Sequence, residues 1–366
     1  MKILQLGKFY PVLGGVEKVM WDFTTGISSR GIDCDMLCAT LEGEQVIELN
    51  PHGKVFCVHA WKKIAATMIC PAMIRWLRAH AREYDIIHVH HPDPMAALAL
   101  RASGCKGRVF VHWHSDILKQ RLIYFFYRPL QNWLLRRAEK IIGTTPVYVH
   151  ESPHLQRFQD KVTYVPIGVA PMTPDPQGVA AIRARWPGKK IVFSLGRLVG
   201  YKGFEYLVGA SKHLGDGYQI VIGGGGPLKK ALNERIIREK SEKNVSLPGY
   251  LQDDEVKDWF GACDVFVLSS IWKTEAFAIV QIEAMSCGKP VVATRIPESG
   301  VSWVNGHGES GLNVPPQDSK ALADAVREIA KDADAYRDYA AGARARYERM
   351  FTYERMIDNV LKIYNG

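Results

Sequence analysis

Short apolar runs alternate with helical segments along the whole chain, and the alternation starts twice. Runs at residues 3–6, 35–39, 55–59, 85–90, 109–113, 140–144 and 162–165 read as strands, with helical segments such as 14–29 between them. Residues 169–188 are rich in Pro, Gly and Asp and read as a linker. Strand-like runs then resume at 191–195, 218–222, 245–247, 265–269 and 290–293, with a shorter one at 312–314. Residues 321–329, 333–347 and 352–364 are helical, the last of them amphipathic. Strands that alternate with helices must cross over to pair in parallel, so the pattern predicts two parallel-sheet α/β domains. A length of 366 residues suits two domains. In such sheets ligands bind beyond the carboxyl ends of the strands.

Charge narrows the class of partner. The chain holds 47 Lys and Arg against 38 Asp and Glu, a net charge of +9. Residues 60–140 alone hold 14 basic and 5 acidic residues, so the remainder balances. Two helical stretches carry this surplus. In residues 71–82, Arg75, Arg78 and Arg82 recur at helical spacing beside Met73, Ile74, Trp76 and Leu77. In residues 117–140, Lys119, Arg121, Arg128, Arg136 and Arg137 are set among Leu118, Leu122, Tyr124, Phe125, Phe126, Tyr127, Leu130, Trp133 and Leu134. Pro129 is predicted to divide that stretch into two helices. Aromatic and basic residues on one helix suit a bilayer interface; two core helices with solvated basic faces suit the same residues. The basic residues match no recognised nucleic-acid module, so no nucleic-acid partner is expected. No apolar run reaches the ~18–20 residues of a membrane span, and the N-terminus reads as a first strand rather than a signal peptide. The seven Cys form no C-x-x-C pair, which argues for a reducing cytoplasm over a disulfide framework or a zinc ribbon.

Five constellations carry chemistry. Gly14-Gly15-Val16-Glu17, before the first helix, is either a structural turn or an anion-accepting helix N-terminus. Gly196-Arg197, with Lys202-Gly203 shortly after, places two cations at a strand end, where they would clamp a diphosphate or sit as surface charge. Gly223 to Gly226 precede Pro227, but Leu228 breaks the G-x-G-x-x-G spacing, which argues against a dinucleotide cofactor. The glycines still admit either a close nucleotide or a tight turn. Glu275 and Glu283 bracket a helix start, with Glu283 expected about two turns in; they would accept bonds from sugar hydroxyls or serve as helix-terminal charge. His88, His90, His91, His112 and His114 gather at two strand ends. They suit a cleft or catalytic role, or plain packing, better than a metal site, because no carboxylate or Cys joins them at ligand spacing. Asp33-Cys34-Asp35 begins a strand, the wrong end for a ligand, and reads as structural.

Taken in order, these residues resemble the retaining glycosyltransferases of family 4, which have the GT-B fold. The resemblance runs through Gly14-Gly15-Val16-Glu17, Asp85 to His90, and His112-Trp113-His114-Ser115-Asp116. It continues through Val165 to Val169, Gly196-Arg197 with Lys202-Gly203-Phe204, Gly225-Gly226-Pro227 and Gly249-Tyr250-Leu251, then the Glu275/Glu283 pair and Gly311 to Pro315. It implies two Rossmann-like domains facing an interdomain cleft. The first, an acceptor-side domain, would span 1–170, with 350–366 packing back on it; the second, the donor domain, would span 171–349. It also implies a nucleotide-sugar donor and no metal or other cofactor. Gly15 would let a loop meet the donor diphosphate, which Arg197 and Lys202 would neutralise. Glu275 would hold sugar hydroxyls, amides around Phe277 and Ala278 would meet sugar and phosphate, and Glu283 would bind the ribose. His114 would sit over the transferred sugar, and Gly226, Tyr250 and Leu251 would line the nucleotide. The run Tyr127-Arg128-Pro129-Leu130 and the His114-Ser115-Asp116-Ile117 segment resemble enzymes of bacterial polysaccharide or O-antigen assembly. A hexosyltransferase is therefore expected, with GDP-mannose the first donor to test and a polyprenyl-diphosphate-linked glycan as acceptor. It would be cytoplasmic, peripheral on the anionic inner face of the plasma membrane. A nucleotide-sugar epimerase and a non-catalytic nucleotide-sugar-binding protein are the alternatives. Two positions depart from the family: Ile167 stands where Asn is frequent, and Ala278 where Gly is common.

Overall fold

The structure, a computed structural model, describes residues 1–12, 14–64, 67–117 and 121–366. Leu118 and Lys119, singled out above for the basic aromatic stretch, lie outside the described residues, as do the side chains of Arg121 and Leu122. The chain forms two units, Met1–Ile167 with Tyr353–Gly366, and Gly168–Thr352.

The first unit contains β1 (Lys2–Phe9), α1 (Gly15–Ser28), β2 (Asp33–Thr40), β3 (Gln45–Asn50), β4 (Gly53–His59), β5 (Lys62–Ile64), β6 (Thr67–Ile69) and α2 (Pro71–His80). It continues with β7 (Ile86–His91), α3 (Pro94–Ser103), β8 (Arg108–Trp113), α4 (Arg121–Arg137), β9 (Lys140–Gly143), α5 (Pro146–Glu151) and β10 (Val162–Tyr164). Its eight-stranded sheet has the order β10-β9-β8-β7-β1-β2-β4-β3. Every pair is parallel except β3 with β4. The central strands are buried along their length, as parallel strands covered on both faces must be. The antiparallel edge strand β3 and the small β5–β6 hairpin escape the sequence reading. In β3 polar residues interrupt Val46, Ile47 and Leu49 and none of the six is fully buried, and β5 is exposed throughout, so neither carries a continuous apolar run.

The second unit contains α6 (Pro176–Arg183), β11 (Lys190–Leu195), α7 (Phe204–Leu214), β12 (Tyr218–Gly223), α8 (Lys229–Arg238), β13 (Val245–Gly249), α9 (Asp253–Ala262) and β14 (Val265–Leu268). Then come α10 (Ile279–Ser286), β15 (Val291–Thr294), α11 (Val301–Val304), β16 (Gly311–Val314), α12 (Ser319–Ile329) and α13 (Ala333–Met350). Six parallel strands order as β13-β12-β11-β14-β15-β16. The chain then returns to the first unit as α14 (Tyr353–Asn365), which buries Met356, Ile357, Val360 and Tyr364. On α1, Gly26 is the point of contact: a Cβ there would lie 2.6 Å from Ile357 Cδ1.

Two local expectations are corrected. The Pro-rich stretch 169–188 contains α6, capped by Asp175, whose carboxylate accepts from the Gly178 amide, and opened by Pro176 at its first turn. Pro129 does not split the aromatic stretch, because α4 runs through it. The amide it lacks would have bonded the Phe125 carbonyl, and residues 125, 126, 128 and 129 are exposed, so water can satisfy that carbonyl. On α2, Met73 and Leu77 are buried while Arg75 and Arg78 face solvent, which is the core-helix arrangement.

Candidate active site

In the second unit the constellations meet beyond the carboxyl ends of β11, β12 and β14. After β11 the chain turns through Gly196 into a short helical turn, Gly200–Lys202, which ends on Gly203 at φ +62°. A Cβ on Gly203 would lie 2.2 Å from the Ser269 carbonyl oxygen, so only glycine lets this turn touch the end of β14. Ser269 Oγ donates to the Lys202 carbonyl at 2.9 Å and fixes the same contact.

Lys202 is thereby held against the loop after β14, where its Nζ lies 2.6 Å from Glu275 Oε2. Both side chains are 11% exposed. Ser270 Oγ donates to the same carboxylate oxygen at 2.8 Å. Glu275 Oε1 accepts nothing among the described residues and is free to accept from a hydroxyl. An ammonium has three donors and Lys202 spends one on Glu275, which leaves two for phosphate oxygens. The sequence assigned these two residues separate duties, and their pairing comes from tertiary structure.

Beyond Glu275 the chain enters α10 through Ala278 at φ +62°. That region favours glycine, which accounts for Gly at the matching family position; Ala278 adopts it at a steric cost. The amides of Phe277 and Ala278 donate to no acceptor among the described residues. With the helix N-terminus behind them, they form an anion-facing edge. The Phe277 side chain is buried and meets Phe351 edge-on, so it is the backbone here that can reach a ligand. Glu283 is the fifth residue of α10, little more than one turn in, where about two were expected.

The glycine run divides by position. A Cβ on Gly224 would sit 1.9 Å from the Gly196 carbonyl oxygen, and one on Gly226 would sit 2.6 Å from that of Leu198. Both are tight-turn glycines that lock the loop carrying Arg197. A Cβ on Gly225 would meet nothing within 4 Å. Arg197 itself is exposed and forms no ion pair among the described residues. The Gly249 carbonyl accepts from the Gly224 amide at 2.7 Å, which places the Tyr250 loop beside the run. Tyr250 is 72% exposed, whereas Leu251 is buried against Gly223, so only its backbone is available. Gly224→Ala is therefore expected to lower the unfolding temperature sharply. Gly225→Ala should leave it unchanged while weakening nucleotide binding several-fold, measured by calorimetry. Equal stability losses in both would refute this division.

In the first unit Gly15 is exposed at the start of α1, and Gly14 is its N-cap. The five histidines are all buried, and burial pushes each below the ordinary imidazole range, His112 to about 3. They are neutral at pH 7. His91 stacks on Trp113 at 3.8 Å. Of the other four, His88, His90 and His114 join one hydrogen-bonded array through Gln5 and Tyr364, and His112 packs against the rings of His90 and His114. Gln5 Nε2 donates to the Tyr364 hydroxyl at 3.4 Å, and the same hydroxyl is hydrogen-bonded to His88 Nδ1. Gln5 Oε1 accepts from His90 Nε2 at 2.8 Å, which leaves His90 Nδ1 to accept from His114 Nε2 at 2.9 Å. His114 is thus the Nε2–H tautomer, and its Nδ1, which has no partner among the described residues, is a hydrogen-bond acceptor. Such an atom suits a sugar hydroxyl.

Sequence reasoning missed Gln5 and Tyr364. Gln5 had a signal, a polar residue inside an apolar strand, but Tyr364 lies 359 residues away and had none. Tyr364→Phe is expected to release the tautomer and cost about fivefold in turnover, the worth of one net hydrogen bond. Nitrogen NMR of His114 reads the tautomer directly, and an unchanged ¹⁵N pattern would contradict the assignment.

Ring nitrogens of His90, His112 and His114 lie within 4.8 Å of one another, close enough to raise the question of a metal. His90 Nδ1 and His114 Nε2 are hydrogen-bonded to each other at 2.9 Å, and His90 Nε2 to Gln5 Oε1, so both nitrogens of His90 and one of His114 are already engaged within the array. Lys8 adds positive charge nearby. Asp33-Cys34-Asp35 is structural: Asp35 accepts from the Tyr84 hydroxyl and the Lys54 amide, and Asp33 meets His52. Asp116 holds the loop after β8 by accepting from Trp113 Nε1 and Ser152 Oγ.

The family pattern described as Glycosyltransferase Family 4 matches residues 13–171, and that described as Glycosyl transferases group 1 matches residues 181–346. An O-antigen chain mannosyltransferase C of Escherichia coli is 30% identical, covering 100% of this chain and 98% of its own. The D-rhamnosyltransferase WbpZ of Pseudomonas aeruginosa is 29% identical, over 96% and 92% of the two chains. Among solved structures, Anabaena HepE in complex with UDP superposes with a TM-score of 0.81 at 20% identity, covering 100% of both chains. WaaG, a glycosyltransferase involved in lipopolysaccharide biosynthesis, gives 0.71 at 16% over 100% of both. The two likenesses in structure establish the GT-B fold, and the match along the whole sequence establishes descent: the chain belongs to the group 1 glycosyltransferases of family 4.

Proposed function

We propose that this protein transfers a hexose from a nucleotide sugar, with retention of configuration, to a lipid-linked glycan in bacterial surface-polysaccharide assembly. GDP-mannose is the first donor to test. The Escherichia coli relative's name, an O-antigen chain mannosyltransferase, supports the choice of sugar and pathway. The observation that carries the chemistry is the buried Lys202–Glu275 pair beside the two free amides of Phe277 and Ala278.

Breaking the glycosyl–phosphate bond builds positive charge on the sugar and negative charge on the departing diphosphate. Lys202, Arg197 and the α10 N-terminus stabilise the diphosphate, and fixed donors of this kind need no reorganisation as the charge develops. Glu275 Oε1 accepts a sugar hydroxyl and orients the ring. With these cations in place, no metal is needed to neutralise the leaving group. Retention is what the family resemblance implies: the acceptor attacks from the face the diphosphate leaves, and a donor phosphate oxygen takes the acceptor proton.

The test has two stages. A thermal-shift series with UDP, GDP, ADP and their sugars identifies the donor, since a ligand at 100 times its dissociation constant adds about 2.7 kcal/mol. The donor found is then incubated with a polyprenyl-diphosphate glycan, and NMR reads the anomeric configuration of the product. An inverted product removes the retaining mechanism. A change at a donor ring carbon without acceptor would identify an epimerase, and binding without turnover a non-catalytic protein.

The enzyme would act at the cytoplasmic membrane surface. No helix among the described residues is long and apolar enough to cross a membrane, so attachment would be peripheral.

A further inference from the structure

Lys202, Glu275 and the amides of Phe277 and Ala278 suit the sugar and diphosphate of a donor, and none of them can tell one base from another. The sheet order shows where a base would lie. The strands run β13-β12-β11-β14, and the ion pair sits beyond β11 and β14. Neighbouring strands are about 4.8 Å apart, so the boundary of β12 and β13 is about 10 Å away. That is the span of a ribose and its base.

One charged side chain stands at that boundary. Lys229 opens α8, shortly after the glycine run. Gly249 pairs with Gly223 at the carboxyl ends of β13 and β12. A Cβ on Gly249 would lie 3.4 Å from Lys229 Nζ, so the ammonium rests over this glycine. A cavity of about 540 Å³ opens beside it, walled by Gly226, Pro227, Lys229 and Asn233. The other cations of α8 are occupied. Lys230 faces Glu234, which also lines the cavity, at 3.9 Å, and Arg235 bonds Glu239 at 2.8 Å. The Lys229 ammonium has no hydrogen bond or ion pair among the described residues, so its three donors are unspent. Tyr250, the residue after Gly249, leaves its ring exposed.

These two side chains suit different parts of a base. A tyrosine ring stacks on any base, because every base has a π-face, so it gives affinity without choice. An ammonium only donates, so it favours an edge that carries acceptors. Guanine presents two acceptors side by side, O6 and N7. Adenine replaces O6 by an amino group, which would face the ammonium donor to donor.

We propose that Lys229 selects the base of the donor, its ammonium bonding O6 and N7 of guanine while Tyr250 stacks on the ring. This rests on the nucleotide-sugar reading above and deepens it by naming the group that chooses the nucleotide.

The test is calorimetric titration of the full chain with GDP, IDP, 7-deaza-GDP and ADP. IDP keeps O6 and N7 and lacks only the 2-amino group, so it should bind within about twofold of GDP. 7-Deaza-GDP loses one acceptor and should bind about fivefold more weakly, with ADP weaker still. Lys229→Met should lower the preference for GDP over ADP about tenfold, with the affinity for ADP nearly unchanged. Lys230→Met makes the same charge change one residue along and should leave the preference as it is. Tyr250→Ala should weaken GDP and ADP alike. All three positions are exposed, so the unfolding temperatures should match the wild type. Equal weakening of GDP and ADP by Lys229→Met would put the ammonium on a phosphate and overturn the assignment. So would an unchanged preference, the same effect from Lys230→Met, or a wild-type protein that prefers ADP or UDP. Sugar transfer keeps the two readings apart. Transfer from a GDP-sugar with the preference intact in Lys229→Met defeats the base reading alone. A preference that collapses in Lys229→Met, in a protein that transfers no sugar, defeats the transferase chemistry alone.

Discussion

Acidification from pH 7 to pH 5 is expected to unfold the first unit while the second keeps its structure. His88, His90, His91, His112 and His114 are buried, and their pKa values lie below the ordinary 6.5 because burial penalises the charged ring. In the unfolded chain they return to about 6.5. Below that pH the unfolded state binds more protons than the native one, so stability is full above it and falls as the pH drops. Five such groups give a limiting slope of about 7 kcal/mol per pH unit, against a total stability of about 5–15 kcal/mol. The second unit contains only His213 and His307, both exposed. Hydrogen exchange followed by pH titration resolves the two units. Simultaneous loss of both, or a slope worth a single proton, would show that the array does not titrate this way. His112 offers a control, because neither of its ring nitrogens has a hydrogen-bond partner among the described residues. His112→Leu should cost little at pH 8 and lower the acid midpoint.

Lys202→Ala should reduce turnover about 10²–10³-fold, the range for removing one donor aimed at developing charge. It should also destabilise the second unit by about 3–5 kcal/mol, because Glu275 would be left buried without its cation. Glu275→Ala should do the same in reverse, exposing Lys202 to the same penalty. The double variant Lys202→Met with Glu275→Leu separates the two effects. Replacing a buried ion pair by apolar residues of similar size is often neutral, so its unfolding temperature should recover while turnover stays low. Recovery of turnover along with stability would reduce the pair to a structural role.

Much of the fold was legible because parallel strands buried on both faces centre on short apolar runs, such as residues 109–111, 191–193 and 220–222. The elements that were not legible lack that signal. The strand β3 is half exposed, and α6 hides in a Pro- and Gly-rich stretch whose capping Asp175 and Pro176 also read as a turn. Pro129 misled for a related reason: a proline breaks a helix only where the freed carbonyl cannot find water.

For the site, sequence order alone identified the glycines, cations and carboxylates as one set, because each follows an apolar run and so lies at a strand end. It determined the fold class and the membership that rests on that ordered set. Only the tertiary structure decided how the members are used. Lys202 and Glu275 are 73 positions apart, yet the Gly203–Ser269 contact makes them one ion pair. The tautomer of His114 is fixed from α14, at the far end of the chain, through Gln5 and His90. A residue's type and its place on a strand are local properties that a sequence displays. Which lone pair is free and which charge is already neutralised depend on neighbours distant in the chain, and only folding brings those together.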